Sequence, residues 1–205
     1  MNRYLALLIA LCMACAAVSA QTVKHHAYTT YFNAGKGEPD SVSWSLTPDM
    51  VNCGIKTRID KFAQDPMIPG STKKTAYVHS GFDRGHMFNW DDARCNVTDD
   101  KECFYMSNMI PQPHSFNGGD WGTLEKQERI WAQNQVIHII AGGFGSQGKL
   151  PSGVNIPESC WKAIYVEGHW RAWVMPNSAT SKKHKYGFWE VMDIKRFDSI
   201  VGLHL

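Results

Sequence analysis

Gly81-Phe82-Asp83-Arg84-Gly85-His86, then Phe104-Tyr105-Met106-Ser107-Asn108-Met109-Ile110-Pro111-Gln112, then Phe116-Asn117-Gly118-Gly119-Asp120-Trp121-Gly122-Thr123-Leu124-Glu125, closing at Arg129: this run carries the reading of the chain. Asn117-Gly118-Gly119-Asp120 reads as a loop ending in a helix N-cap. The Asp120 carboxylate can accept from the first free backbone N–H groups, and the helix then runs to about Asn134. Asn117, Trp121, Glu125 and Arg129 recur in steps of four, which drift by about 40° per step on a helix. They are expected in one sector if the helical period extends back to Asn117.

These residue types suit one kind of chemistry. Phosphodiester hydrolysis needs a base for the attacking water, charge to balance the phosphorane, and a stabilised leaving oxygen. His86 is the candidate base, because an imidazole with its ordinary pKa of about 6.5 is largely neutral and able to accept at neutral pH. Arg84 beside it has a fork that fits a phosphate, and Gly85 between them allows tight backbone geometry. Asn117 offers a neutral hard oxygen to a cation such as Mg²⁺, which keeps several waters and needs few protein ligands. His114, three residues earlier, is an alternative ligand. Glu125 and Arg129 share a helix face. They read either as a surface ion pair or as an acceptor for metal-bound water beside a phosphate clamp.

The flanks fit a single α+β domain around a mixed or antiparallel sheet. Tyr28 to Phe32, and Val42-Ser43-Trp44-Ser45-Leu46 with its alternation, read as strands. Ala76-Tyr77-Val78 reads as a short strand before Gly81. Asn89–Lys101 is polar and expected to be exposed, and Asn96-Val97-Thr98 is a glycosylation sequon in a eukaryotic source. Val136–Ala141 reads as a buried strand. Lys162–Glu167 and Trp170–Met175 flank Gly168-His169 as a hairpin, with Phe188–Met192 as a last strand.

Residues 1–20 differ from all of this. Arg3 precedes an almost unbroken apolar run from Leu5 to Val18, and Val18-Ser19-Ala20 places small residues where a signal peptidase reads. The reading is a secretory signal, a mature single domain over 21–205, and a secreted or periplasmic protein with no membrane span afterwards. An uncleaved anchor and a lipidated Cys15 are the alternatives. Cys12 and Cys15 leave with the signal, and Cys53, Cys95, Cys103 and Cys160 remain for two disulfides. The shortest loop favours Cys95–Cys103, leaving Cys53–Cys160; no two of these four have the Cys-x-x-Cys spacing of a zinc site. Of the 21 Lys and Arg residues only Arg3 lies in this segment, so the remainder is nearly neutral against 19 Asp and Glu. A polyanionic partner therefore requires local basic clusters. The candidates are Arg58, Lys73-Lys74, Arg84, Arg129 and Lys182-Lys183-Lys185, any of which also reads as ordinary solvated charge.

The chain resembles the DNA/RNA non-specific endonucleases, the sugar-non-specific ββα-metal (His-Me finger) nucleases. Asp83-Arg84-Gly85-His86, Met106–Gln112, Phe116–Trp121 and Leu124-Glu125 carry the resemblance in family order. Arg58 before Phe62 and Asp65-Pro66, and Met175-Pro176-Asn177, extend it over most of the mature chain. Met87-Phe88-Asn89-Trp90 departs from the family's small residue and proline after the histidine. The resemblance implies a ββα-metal core and a Mg²⁺-dependent endonuclease, with Mn²⁺ as substitute, acting on DNA and RNA to leave 5′-phosphates. It implies His86 as base, Asn117 as the protein metal ligand and Asn108 as a support of site geometry. Glu125 would accept from metal waters, and Arg58, Arg84 and Arg129 would contact phosphate. A homodimer is left open, and a silent nucleic-acid-binding domain or an immunity-paired toxin are the alternative functions.

Overall fold

The computed structural model describes residues 21–53, 58–191 and 193–202. The signal reading, with Cys12 and Cys15, lies outside them. The strands among the described residues are β1 (Gln21–Lys24), β2 (Tyr28–Asn33), β3 (Glu38–Leu46), β4 (Asp83–His86), β5 (Met109–Gln112), β6 (Ile137–Phe144), β7 (Ser159–Val166), β8 (His169–Pro176) and β9 (Glu190–Val191). The helices are α1 (Pro48–Val51), α2 (Trp90–Ala93), α3 (Val97–Glu102), α4 (His114–Phe116), α5 (Gly122–Ala132) and α6 (Ile194–Val201).

Seven strands form one sheet in the order β1-β2-β3-β6-β7-β8-β9, with every neighbouring pair antiparallel. The expected sheet is therefore present, in its antiparallel form. Alternation along β3 and β6 sends Val42, Trp44, Leu46, Ile137, Ile139 and Ala141 to one face, where Met87, Phe88, Phe116, Trp121 and Leu124 complete the core. The opposite face of β7 and β8 buries Trp161, Ala163 and Ala172 under Phe197 of α6. The β7–β8 hairpin turns at Glu167-Gly168, both at positive φ, which suits the right-handed strand twist.

On the first face sits a two-stranded ladder of β4 and β5, followed in the chain by α4 and α5. This is the expected ββα unit. Gly85 is required here, because a Cβ would collide with the side chain of Gln112 on the paired strand β5.

Several local expectations are corrected. Residues Lys74–Tyr77 form a 3₁₀ turn rather than a strand, since the buried Tyr77 ring lies under the Arg84 guanidinium, which also donates to Lys74 O at 2.9 Å. The Asn89–Lys101 stretch is not loose polar surface. Asn89 caps α2, and Asn96 caps α3 by accepting from Thr98 N and Asp99 N. The disulfide joins Cys53 to Cys95 with Cα atoms 5.8 Å apart, and Cys103 and Cys160 are buried free thiols. Neither Cys95–Cys103 nor Cys53–Cys160 forms. A six-residue helix lies between Cys95 and Cys103. At about 1.5 Å per residue it separates its ends by roughly 9 Å, beyond disulfide reach.

Candidate active site

His86 ends β4, opposite Met109 of β5. Its ring is 9 % exposed and sits edge-on to Phe104 at 5.2 Å and tilted against Phe62 at 5.7 Å. Burial, helped by the Arg58 charge, lowers its pKa from 6.5 to about 3. Nε2 is enclosed with no partner among the described residues. Burial thus favours the neutral ring.

The backbone around this ring is fixed by two buried side chains. Trp121 Nε1 donates to His86 O at 3.2 Å. Asn108 accepts from Phe88 N at 2.9 Å, and its amide donates to Phe88 O at 2.9 Å and Cys103 O at 2.8 Å. The amide thus ties the turn that follows His86 to the end of α3.

Asn117 opens a wide five-residue turn, Asn117–Trp121, broken at Gly119 (φ −96°, ψ −111°) before α5 begins. Asp120 is consequently not the N-cap of α5. It is 4 % exposed and instead accepts from Ser181 Oγ, His184 N and Trp189 Nε1 at 2.7–3.0 Å, fastening the loop before β9. Those donors hold its carboxyl below the ordinary value despite burial. The wide turn also breaks the expected sector. Asn117, Glu125 and Arg129 line one cleft, whereas Trp121 is fully buried and packs below it.

That cleft has a volume of about 500 Å³ and is lined by Arg58, Arg84, His86, Asn117, Glu125 and Arg129, together with Asp83, Asn89, Phe62 and Lys126. Asn117 Nδ2 donates to Asp83 Oδ2 at 3.0 Å, which orients the amide and leaves its oxygen for another partner. Asp83 was missed in the sequence, although it stands in the quoted motif. Its Oδ2 also pairs with His114 Nδ1 at 2.9 Å. The His114 ring is 91 % exposed and lies outside the cleft lining. Besides the imidazole, the acceptors at the cleft are oxygens, from the Asn89 and Asn117 amides and the Asp83, Asp91 and Glu125 carboxylates, and Gly118 leaves open space beside them. This hard set fits a hydrated Mg²⁺ or Mn²⁺.

Glu125 is buried, which raises its pKa against the lowering effect of Lys162, Arg129 and Asn89. Arg129 contacts Asp91 and Asp92 at 3.4 Å each, so its fork is shared between the cleft and α2. Arg58 is half exposed, pairs with Asp60 at 3.3 Å, and lies over Phe104 at 5.1 Å. Arg84 lies over Phe62 at 5.0 Å. Beneath the cleft, Lys162 Nζ meets Glu128 Oε2 at 2.8 Å with both side chains fully buried, and lies 4.5 Å over the Trp121 ring. Burial raises the Glu128 carboxyl and the lysine opposes that. No sequence signal pointed to this pair except a lysine inside an apolar strand.

Comparison with known proteins places this geometry. The DNA/RNA non-specific endonuclease family matches residues 14–203. A nuclease of Nostoc sp. is 34 % identical over 144 residues, covering 68 % of this chain and 52 % of that protein. Nuclease C1 of Cunninghamella echinulata is 32 % identical, covering 69 % and 66 %. A nuclease of Serratia marcescens is 30 % identical, covering 71 % and 58 %. The aligned region thus spans about half to two thirds of the length of these relatives. The fold is similar to a chain in the crystal structure of an EndoG/EndoGI complex, with a TM-score of 0.80 at 24 % identity over 90 % of this chain and 84 % of that one. With its ββα unit on an antiparallel sheet and a match over nearly its whole length, the chain belongs to the DNA/RNA non-specific endonuclease family.

Proposed function

We propose that this protein is a metal-dependent endonuclease hydrolysing DNA and RNA without strong sequence preference, leaving 5′-phosphate ends. One observation carries the reading: His86, Asn117, Glu125 and Arg84 line a single cleft, with the Asn117 amide turned by Asp83 so that its oxygen is free. Asn117 would hold the cation, and Glu125 would accept hydrogen bonds from its waters. Mg²⁺ or Mn²⁺ held there would supply the positive charge that phosphodiester hydrolysis needs. Arg84 and Arg58 bring a phosphate into the cleft by charge-assisted hydrogen bonds, and Arg129 contributes to the extent that it leaves Asp91 and Asp92. His86 takes the proton of the attacking water. Burial favours its neutral form, the form that can accept that proton.

Export is part of the same proposal. It rests on residues 1–20 and is supported by the Cys53–Cys95 disulfide, a bond that persists in oxidising compartments.

The test is cleavage of plasmid, single-stranded DNA and RNA with Mg²⁺, with Mn²⁺ and with EDTA. Wild type should cut all three only with metal, and His86→Ala should lose about 10²–10⁴-fold in kcat while retaining binding. Undiminished cleavage by His86→Ala removes the mechanism. A gel shift without nicking under any metal favours a silent binding domain.

A further inference from the structure

We infer that the loop from Ser181 to Trp189 is a second nucleic-acid contact, in which a single strand leaving the cleft stacks a base on Phe188 and sets its phosphates against Lys182, Lys183 and Lys185. This rests on the nuclease reading and extends it beyond the cleft.

The loop's position is set by the metal-ligand turn. Asp120 holds it at Ser181, His184 and Trp189, and Ser115 Oγ donates to Ala179 O at 2.8 Å. A Cβ added at Gly119, two residues from Asn117, would lie 3.5 Å from Lys182 O. A strand emerging past Asn117 therefore meets this loop next.

Its surface chemistry is that of a single-strand platform. Lys182, Lys183, Lys185, Tyr186 and Phe188 are all exposed, with Phe188 at 60 % and Tyr186 at 37 %. An exposed phenylalanine normally gains nothing from rigid placement, yet this one is built in. Its ring stacks on His184 at 4.0 Å and 12°, and stands edge-on to Trp189 at 4.9 Å. Tyr186 is equally fixed. Its carbonyl accepts from Trp173 Nε1 at 2.7 Å, its ring meets Trp131 edge-on at 5.3 Å, and Arg171 lies 5.6 Å over it. Arg171 is neutralised by Glu190 at 2.6 and 2.7 Å, so the free charge here is that of the lysines. The hollow beside these rings has a volume of about 540 Å³. Preorganised aromatics beside lysines bind single strands through stacking and phosphate contact, with little dependence on sequence.

The test uses a labelled single-stranded oligonucleotide in EDTA on the His86→Ala background. Phe188→Ala should weaken binding about fivefold or more, since a stacked base contributes about 1–3 kcal/mol, and Phe188→Tyr should restore it. Replacing Lys182, Lys183 and Lys185 together by Gln should lower the slope of log affinity against log salt by about 2, at roughly 0.7 per phosphate. With His86 intact, both changes should raise KM on long single strands and leave kcat, and the difference should shrink on a dinucleotide. The lysine variant should melt like wild type, and Phe188→Ala, which loses its contacts with His184 and Trp189, only slightly below it. Equal affinity and equal salt slope in a protein that still cleaves nucleic acid overturn the loop contact and leave the nuclease reading standing. A wild type without metal-dependent cleavage overturns both. A wild-type dimer that Phe188→Ala converts to monomer in sedimentation assigns the patch to a second copy of the chain, and also overturns the inference.

Discussion

The wall of the cleft that carries His86 is packed shut, whereas the wall that carries Asn117 is open and rich in glycine. His86 lies between Phe62 and Phe104, with Asn108 and Trp121 bonded to the backbone around it. Asn117 is half exposed beside the exposed Gly118, and one exposed-side carboxylate, Asp83, orients it. The difference suits the roles proposed for the two groups. A base that must stay neutral gains from burial, because the charged form is the one penalised. A cation that keeps most of its waters needs room, and its single protein donor needs orientation rather than enclosure.

The largest break expected in this contrast lies under the packed wall. Lys162→Met leaves Glu128 buried without a partner and should cost about 3–5 kcal/mol, read by urea unfolding. Adding Glu128→Leu should recover most of that loss. If the double variant is as unstable as the single, the loss comes from the lysine's own contacts with Trp44 and Trp121 and not from a stranded Glu128 carboxylate. Next comes Asn108→Ala, which strands three buried backbone groups and should cost roughly 2–4 kcal/mol, together with a fall in kcat as His86 loses its frame. Retained stability would mean that the turn after His86 holds itself.

The open wall should respond differently. Asp83→Ala should weaken Mn²⁺ or Mg²⁺ binding about 10–100-fold by calorimetry, with a change in stability under about 1 kcal/mol at this partly exposed site. A variant that binds metal normally would show that the Asn117 amide needs no orienting partner.

The pH dependence probes the same contrast separately, and its sign is set by the packed wall. The His86 pKa falls from 6.5 to about 3 on folding. Between those values the unfolded chain takes up a proton that the folded ring does not, so stability is full above about pH 6.5 and declines as pH falls toward 3. His86→Gln should flatten that part of the urea-midpoint profile. A wild-type profile flat from pH 7 to 4 would contradict the buried neutral ring. Asp120, lowered by its donors, acts in a lower window. Its contribution is present above the ordinary carboxylate value and lost as pH falls through its depressed one.

Much of this contrast was legible in the residues. Asp83-Arg84-Gly85-His86 and Asn117–Glu125 marked the cleft because chemistry-bearing side chains stand close together in the chain. Alternation in Val42–Leu46 and the Gly168 turn marked the sheet because both are local patterns. What failed were inferences about which neighbours a side chain would meet. Asp120 looked like a cap because capping is local; its acceptors went instead to Ser181, His184 and Trp189, more than sixty positions away. The short Cys95–Cys103 loop looked favourable until Asn96 started a helix inside it. Trp121 kept step with Glu125 in spacing, but the wide turn at Asn117 rotated it into the core.

The sequence by itself determined the chemistry on offer: an imidazole, an oxygen donor, an acid and arginines within one short run, on a chain patterned for an antiparallel sheet. Only the tertiary structure decided which of those groups would be buried, which would be oriented and by whom. It packed His86 between two phenylalanines, turned Asn117 with Asp83, and placed Lys162 from a distant strand against Glu128 beneath the site. The reason is physical. Residue type sets what a group can donate or accept, but desolvation and pairing energies depend on neighbours that chain spacing does not specify.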